Sequence, residues 1–470
     1  MLEEKFIPAS AFELPTNGAK ILSVELKNVE GLNNLKFYKV LGKILPVDKN
    51  APVINFEVNL PLGWNGKLVQ FGGGGFNGHL ISGLGAVCGE KPAYKTPLAR
   101  GYATCGSDSG HINTFFWDLD WALNEECLRN FGHEHIKKTK DAAVYILQNF
   151  YGCTADKIFF AGSSNGGREA LMCAQRYPKD YDGLLVGYPV YNWVPKILTD
   201  YRNMQAMDEL GPEGFLSATE FIEAYKIVQE LCEEKGCMKD GLVRDFYACD
   251  ALKDEALKRM SKVFNEKQIA ALKNFYEPME FAFELANGVK RQQGFSIVQQ
   301  FCDHKMHPFG KIPGARDGLF AKTVDQIVRF QIMKDAGYDT KLFDYKQHRE
   351  EVLRLSEIMD ATNYKLDIFS ARGGKVLMFQ GTNDQLLTLH ATIDYYKKVC
   401  NYLGEQENNF IKLFLFPGFA HDYGEVFDMH ADLLAALDKW VETDKAPEEF
   451  IAIDQNEKTK GRTQIVKAFQ

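Results

Sequence analysis

The sequence predicts an α/β protein with a largely parallel sheet that is interrupted by a long helical insertion and then resumed. Three observations carry this. Between about residues 70 and 190, apolar strand-like runs alternate with amphipathic helical stretches. From about 195 to 365 that rhythm fades into charged, helix-rich sequence. Beyond 365 the alternation returns. A chain of 470 residues also exceeds the roughly 250–300 over which a single core usually grows, so size alone calls for one large domain with an insertion, or two domains. The expected division is 1–194 and 366–470 for the two parts of the α/β core, with 195–365 inserted between them.

The elements follow in order. ILSVELKNV and NFEVNL, separated by turn signals, read as strands in the first 70 residues. HIKKTKDAAVYILQNFYG at 135–152 is a helix by spacing, and KIFFAG at 157–162 a short buried strand. REALMCAQRYP at 168–178 is a helix stopped by Pro178, and GLLVGYPV at 183–190 another strand. Inside the insertion, FNEKQIAALKNFYEP is an amphipathic helix ending near Pro278. KVLMFQ at 375–380 and FIKLFLFPG at 410–418 are strands flanking the helix LHATIDYYKKVCNYLG, and HADLLAALDKWVET closes the fold as a helix.

Composition narrows the function. Hydrophobic residues are 45% and charged residues 25%, the balance of a globular protein. No apolar run reaches the roughly 18–20 residues of a membrane helix, and a net charge of -8 without a basic cluster argues against a nucleic-acid partner. MLEEKFIPASAFELP does not read as a secretory signal, so the expectation is a cytoplasmic protein, or one whose signal preceded residue 1. Ten cysteines are too sparse for a disulfide scaffold and read as reduced thiols; Cys232, Cys237 and Cys249 form the one cluster. The oligomeric state is left open.

The chemistry centres on Gly162-Ser163-Ser164-Asn165-Gly166, a G-x-S-x-G between a predicted strand and a predicted helix. That context defines a nucleophile elbow, in which a sharp turn lifts the Ser164 hydroxyl above the sheet edge. The helix start places the Asn165 N–H where an oxyanion would develop. A serine hydroxyl needs a base held by a third group. Asp384, in FQGTNDQLLT, and His421, in FPGFAHDYG, each follow a predicted strand and stand in the order Ser, Asp, His. His111, in GSDSGH, precedes the serine and is set aside. Gly72-Gly73-Gly74-Gly75 follows the strand KLVQF, with Gly74 and Gly75 as candidate donors of the second oxyanion N–H. It lacks the lysine and the spacing of a phosphate-binding loop. His133, Glu134 and His135 are adjacent and lack metal-ligand spacing, so they read as surface or packing residues. Cys302, Asp303, His304 and His307 lack a completing ligand cluster for a metal.

GWNGKLVQFGGGGFNG, ARGYATCGSDSGH, FFAGSSNGGREALMCAQRYPKDYDGLLVGYP and GTNDQLLTLHATIDYY…FPGFAHDYG together resemble the tannase and feruloyl esterase family, from about residue 14 to about 450. The resemblance implies an α/β-hydrolase fold with a lid domain inserted between the nucleophile half and the acid/histidine half. It implies a serine carboxylesterase acting on small esters of aromatic acids, galloyl or feruloyl in type, with Ser164, Asp384 and His421 as its triad. The alternatives are a general carboxylesterase or peptidase on the same triad, and an inert binding protein that kept the fold. The family's cysteines beside the nucleophile and the histidine are here Ser163 and Asp422, and another falls on Tyr38. A hydrogen bond from Ser163 to Asp422 is therefore expected to replace that disulfide. Of the family's calcium loop Asp240 remains, while one acidic ligand has become Glu233 and another Gly236, so no calcium or other cofactor is expected. Cys232 and Cys249 keep its bridging positions and would pair on oxidation.

Overall fold

The computed structural model describes residues 5–29, 35–90, 95–114, 117–300, 307–404 and 409–470. The first strands, β1 (Phe6–Ile7), β2 (Ala19–Val29), β3 (Leu35–Ile44) and β4 (Ile54–Pro61), form an antiparallel meander. β5 (Lys67–Phe71), β6 (Ala103–Ser107), β7 (Lys157–Ser163) and β8 (Gly183–Gly187) follow. After a long excursion come β13 (Lys375–Gly381) and β14 (Ile411–Phe416). Together they make one ten-stranded sheet in the order β1-β2-β3-β4-β6-β5-β7-β8-β13-β14. From β6 onward every pairing is parallel. The sequence-predicted parallel half and its interruption are present, with an antiparallel meander added at one edge. This is the α/β-hydrolase fold.

Parallel strands buried on both faces read as continuous apolar runs, and β8 and β13 are buried along their whole length. Helices cover them. His135–Tyr151 packs its apolar face on the meander, with Ala142, Ala143, Ile146 and Leu147 against Val58, Leu68 and Ala103. Asn165–Arg176 lies under the centre of the sheet, and Leu433–Thr443 covers the opposite face beside β8 and β13.

Between β8 and β13 the chain leaves the sheet and builds a mostly helical layer. Its longest helices are Trp193–Leu210 and Ala218–Glu234, and it carries two small ribbons, β9 (Met238–Lys239) with β10 (Leu242–Val243) and β11 (Met279–Leu285) with β12 (Val289–Gln292). Helix starts here are capped by their own sequence: Ser217 and Glu220 form a reciprocal capping box, as do Asn265 and Gln268.

The chain's end differs from expectation. Leu433–Thr443 does not close the fold, because β16 (Glu449–Asp454) and β17 (Thr463–Lys467) follow it and join β15 (Met429–His430), which precedes it, in a three-stranded antiparallel sheet. No helix among the described residues is long and apolar enough to cross a membrane.

Candidate active site

The chain turns from β7 into the helix Asn165–Arg176 at Ser164, whose backbone takes φ 56°, ψ −118°. A positive φ at a non-glycine residue costs about 1–3 kcal/mol and persists only where neighbours enforce it. They do so here. The Ser164 N–H donates to Gly187 O at 3.0 Å, and its carbonyl accepts from Val190 N at 3.1 Å. A Cβ on Gly162 would lie 2.4 Å from Gly166 O, and one on Gly166 2.5 Å from Gly73 O, so both elbow glycines are sterically required.

The three residues separated in sequence meet at this turn. His421 Nε2 lies 3.0 Å from Ser164 Oγ. His421 Nδ1 lies 3.1 and 3.2 Å from the Asp384 oxygens, a pairing that fixes the imidazole tautomer. Asp384 is fully buried, and its carboxylate accepts the N–H groups of Leu386 and Leu387 at 2.9 and 3.0 Å and the Gln380 amide at 3.2 Å. Each strand end supplies one member: Ser164 follows β7, Asp384 follows β13 and His421 follows β14. The arrangement suits attack by the Ser164 oxygen on an electrophilic carbon, with the imidazole carrying the proton.

The glycine loop stands beside it. Gly75 takes φ 56° and lines the same cleft as Ser164 and His421, while Gly74 sits on that turn with its carbonyl accepting from Asn77 N at 2.9 Å. As the first residue of its helix, Asn165 has an N–H outside the intrahelical ladder.

Sequence reasoning missed the residue that ties these parts together. Glu169 is fully buried, one turn into the helix. It accepts from Gly73 N at 3.1 Å, the Asn77 amide at 2.7 Å and the Asn165 amide at 3.0 Å, with His135 Nε2 3.5 Å away. Arg168, also fully buried, donates to Asn165 Oδ1 at 2.8 Å and to the carbonyls of Gly132 and Phe131. The usable signal was the elbow itself, since residues four apart on a helix share a face.

His111 Nε2 meets Phe76 O at 2.7 Å and its ring stacks on Trp121, so it holds the glycine loop from behind. Burial pushes it down to about 4, which keeps it neutral. His133 and His135 are packing residues, bonded to the Tyr177 hydroxyl and the Asn130 carbonyl, and burial lowers both. Glu134 pairs with Arg129 and Lys138. His307 is buried on the Leu216 carbonyl, whereas Cys302, Asp303 and His304 lie outside the described residues.

One expectation is corrected. Among the described residues no hydrogen bond joins Ser163 to Asp422. Tyr188, just past β8, instead donates its hydroxyl to Asp422 Oδ1 at 2.8 Å. The phenol takes the Asp422 carboxylate oxygen, so Tyr188 and not Ser163 is the side chain bonded to the loop that carries His421. The edge of the Tyr188 ring also packs on His421, with centroids 4.7 Å apart. In the segment that resembles the family's calcium loop, Glu233 accepts the Gly241 N–H at 3.0 Å, and exposed Asp240 occupies the turn at φ 53°. Tyr38 packs against Phe150 on the meander.

The cleft above Ser164 encloses about 100 Å³. Phe76, Val190, Trp193, Ile197, Phe320 and Leu387 give it apolar walls, several of them from the helical layer between β8 and β13. Lys196 joins the wall, its ammonium 4.5 Å from the Phe320 ring centroid and paired with buried Asp200.

Residues 38–469 match the family model described as tannase and feruloyl esterase. The chain belongs to this family. Its relatives include an esterase of Agrobacterium fabrum, 32% identical over 97% of this chain and 86% of that one. A mono(2-hydroxyethyl) terephthalate hydrolase of Piscinibacter sakaiensis is 25% identical over 88% of this chain and 77% of that one. Among solved structures, feruloyl esterase B from Aspergillus oryzae superimposes with a TM-score of 0.75 at 19% identity, covering 97% of this chain and 94% of that one. This family member is a carboxylic ester hydrolase, and the serine–histidine–aspartate cluster lies in its apolar cleft.

Proposed function

We propose that this esterase hydrolyses esters of aromatic acids through an acyl-enzyme on Ser164. The single observation carrying this is the Ser164 Oγ to His421 Nε2 contact of 3.0 Å, at an apolar cleft and backed by buried Asp384. Ser164 Oγ attacks the ester carbonyl while His421 takes its proton. The tetrahedral oxyanion is met by the N–H groups of Asn165 and Gly75. His421 then protonates the leaving alcohol, and water repeats the sequence to release the acid. Asp384 orients the ring and stabilises the imidazolium.

The acyl group is read from the walls. An aryl ring fits between Phe76, Trp193 and Phe320, where offset or edge-on ring contacts add to its burial. Lys196 brings a cation to that wall, which favours a ring bearing an oxygen acceptor. Relatives named for feruloyl and terephthalate esters point the same way. The test is a panel of methyl ferulate, methyl gallate, methyl benzoate and methyl butyrate on the wild type and Ser164→Ala. The expected result is preference for the hydroxylated aryl esters, with Ser164→Ala folded and inactive. Equal turnover of the butyrate would overturn the aryl reading, and activity in Ser164→Ala the mechanism.

A further inference from the structure

Away from the catalytic cleft, three thiols converge. Cys232 lies in the last turn of the helix Ala218–Glu234, Cys237 precedes β9, and Cys249 lies in the short helix Phe246–Asp250. All three are buried, and their Sγ atoms lie within 4.8 Å of one another. The described cysteines are free thiols.

The backbone around them is fixed. The Cys237 N–H donates to Cys232 O at 3.1 Å, while Cys237 O accepts from Arg244 N at 2.8 Å and Asp245 N at 3.1 Å. The Cys237 and Cys249 thiols each donate to a carbonyl within the cluster, at 3.3 Å. A disulfide between Cys232 and Cys249 would use two of the sulfurs and leave the third without a role. Mutual proximity of all three is what a shared ligand requires.

We propose that Cys232, Cys237 and Cys249 form a binding site for one soft, thiophilic metal cation in three-coordinate geometry, of which Cu(I) is the best fit. Sulfur–metal bonds of about 2.3 Å in a trigonal plane place the sulfurs about 4.0 Å apart, so the cluster closes on an ion with shifts below about 1 Å. Thiolates are soft donors that select Cu(I) or Zn(II) over the hard, oxygen-seeking calcium ion. A structural zinc site takes four ligands. Among the described residues the group contains three thiols and no fourth histidine, cysteine or carboxylate. Loading forms three metal–sulfur bonds, and the displaced thiol protons pass to solvent with no change in oxidation state.

The site is tied to the catalytic loops without belonging to them. Leu242 of β10 packs on Gly418 and Phe427, on either side of His421, and Gly241 faces Val426. Asp250, next to Cys249, pairs with His390 at 2.9 Å, just beyond the Asp384 loop. Tyr225, on the helix that carries Cys232, accepts from the Asn383 amide at 2.5 Å. A cation at the three sulfurs cross-links the helix end, the hairpin and the second helix behind these loops.

The experiment is an anaerobic titration of the full-length reduced protein with Cu(I) against a competing chelator, followed by X-ray absorption on the loaded protein. The expected result is one Cu(I) per chain held by three sulfurs at about 2.2–2.3 Å. Melting temperature should rise on loading. Cys237→Ser should bind at least a hundredfold more weakly. Cu(I) affinity unchanged in Cys237→Ser overturns the site, because other thiols then account for the metal. So does a two-sulfur shell in the wild type, which decides the matter even if the variant fails to fold. A Cys232–Cys249 disulfide in anaerobically purified protein, or Zn(II) held as tightly as Cu(I), overturns it equally.

Discussion

At the residue scale, the carboxylate of Glu169 divides its oxygens between the glycine loop and the start of the nucleophile helix. Both proposed oxyanion donors therefore depend on one buried acid that touches no substrate. Glu169→Gln replaces an acceptor oxygen with an amide that repels the Asn77 and Asn165 amides or the Gly73 N–H. Losing one oxyanion donor outright costs about 10²–10³ in kcat, and loosening the frame should cost about tenfold or more. KM should change little, because the defect appears in the transition state. Steady-state kinetics with an aryl ester separates the two. Tyr188 gives a second prediction. Its hydroxyl bonds Asp422 and its ring borders His421, so Tyr188→Phe keeps the ring and frees the loop. We expect kcat to fall about three- to tenfold with KM held, an effect Ser163→Ala should not reproduce in full. Neither residue stood out in the sequence, although Glu169 lies one helical turn from Asn165. A glutamate in REALMCAQ looks like the solvated side of an amphipathic helix, and GYPV looks like the end of a strand. The elbow was legible because its glycines are demanded by backbone approaches under 3 Å, and such demands are written locally.

At the element scale, the segment between β8 and β13 is fastened to the acid loop by identifiable pairs. Gln299 donates its amide to the carbonyls of Asp384 and Leu387 at 2.6 and 2.8 Å. Asp250 and His390 form an ion pair, each about a quarter exposed. Burial alone would depress His390, but the hydrogen bond and charge of Asp250 raise it overall. Burial likewise opposes the ionisation of Asp250, and His390 lowers it overall. A raised histidine contributes stability that is full below its unfolded value of about 6.5 and is lost as pH rises through the folded value. A lowered aspartate contributes above about 3.9 and loses it as pH falls through its own folded value. The pair therefore supports the fold most between those limits. The melting-temperature gap between wild type and His390→Asn should be widest near pH 5.5 and shrink above about pH 8. A gap constant across that range would show that the pair contributes no charge energy. Central strands and long helices were legible because their apolar runs are long. The tail strands β16 and β17 were not: EFIAID and TQIVK are short, and Ile451 and Ile465 remain exposed, so the alternation carries little core signal.

At the scale of the whole molecule, the insertion shares its core with the sheet. One contiguous apolar cluster runs from Phe160, Leu184 and Met378 on the strands through Trp193 and Ile197 to Val228, Leu272 and Phe320. The helix Trp193–Leu210 begins at the wall of the catalytic cleft and runs on into the helical layer, so position 195 divides a single element. Such a layer does not melt alone. Calorimetry should give one cooperative transition, and a chain lacking 195–365 should expose the Trp193 face and aggregate instead of folding into a smaller hydrolase. Two resolved transitions would contradict the shared core. The order of the elements was readable from rhythm, but this continuity was not, because periodicity reveals which side of a helix is apolar and not what it will meet.

The adjacency of β8 and β13 also sets a timetable for the newborn chain. β8 ends at Gly187 and its neighbour begins at Lys375. At about 5–20 residues per second, the roughly 190 residues between them take on the order of 10–40 s to leave the ribosome. Throughout that interval the Leu185 and Val186 edge of a half-built sheet has no strand to receive it. The insertion that later walls the cleft is therefore synthesised while an apolar edge of the half-built sheet stands open, and the pace of translation through it becomes a determinant of yield.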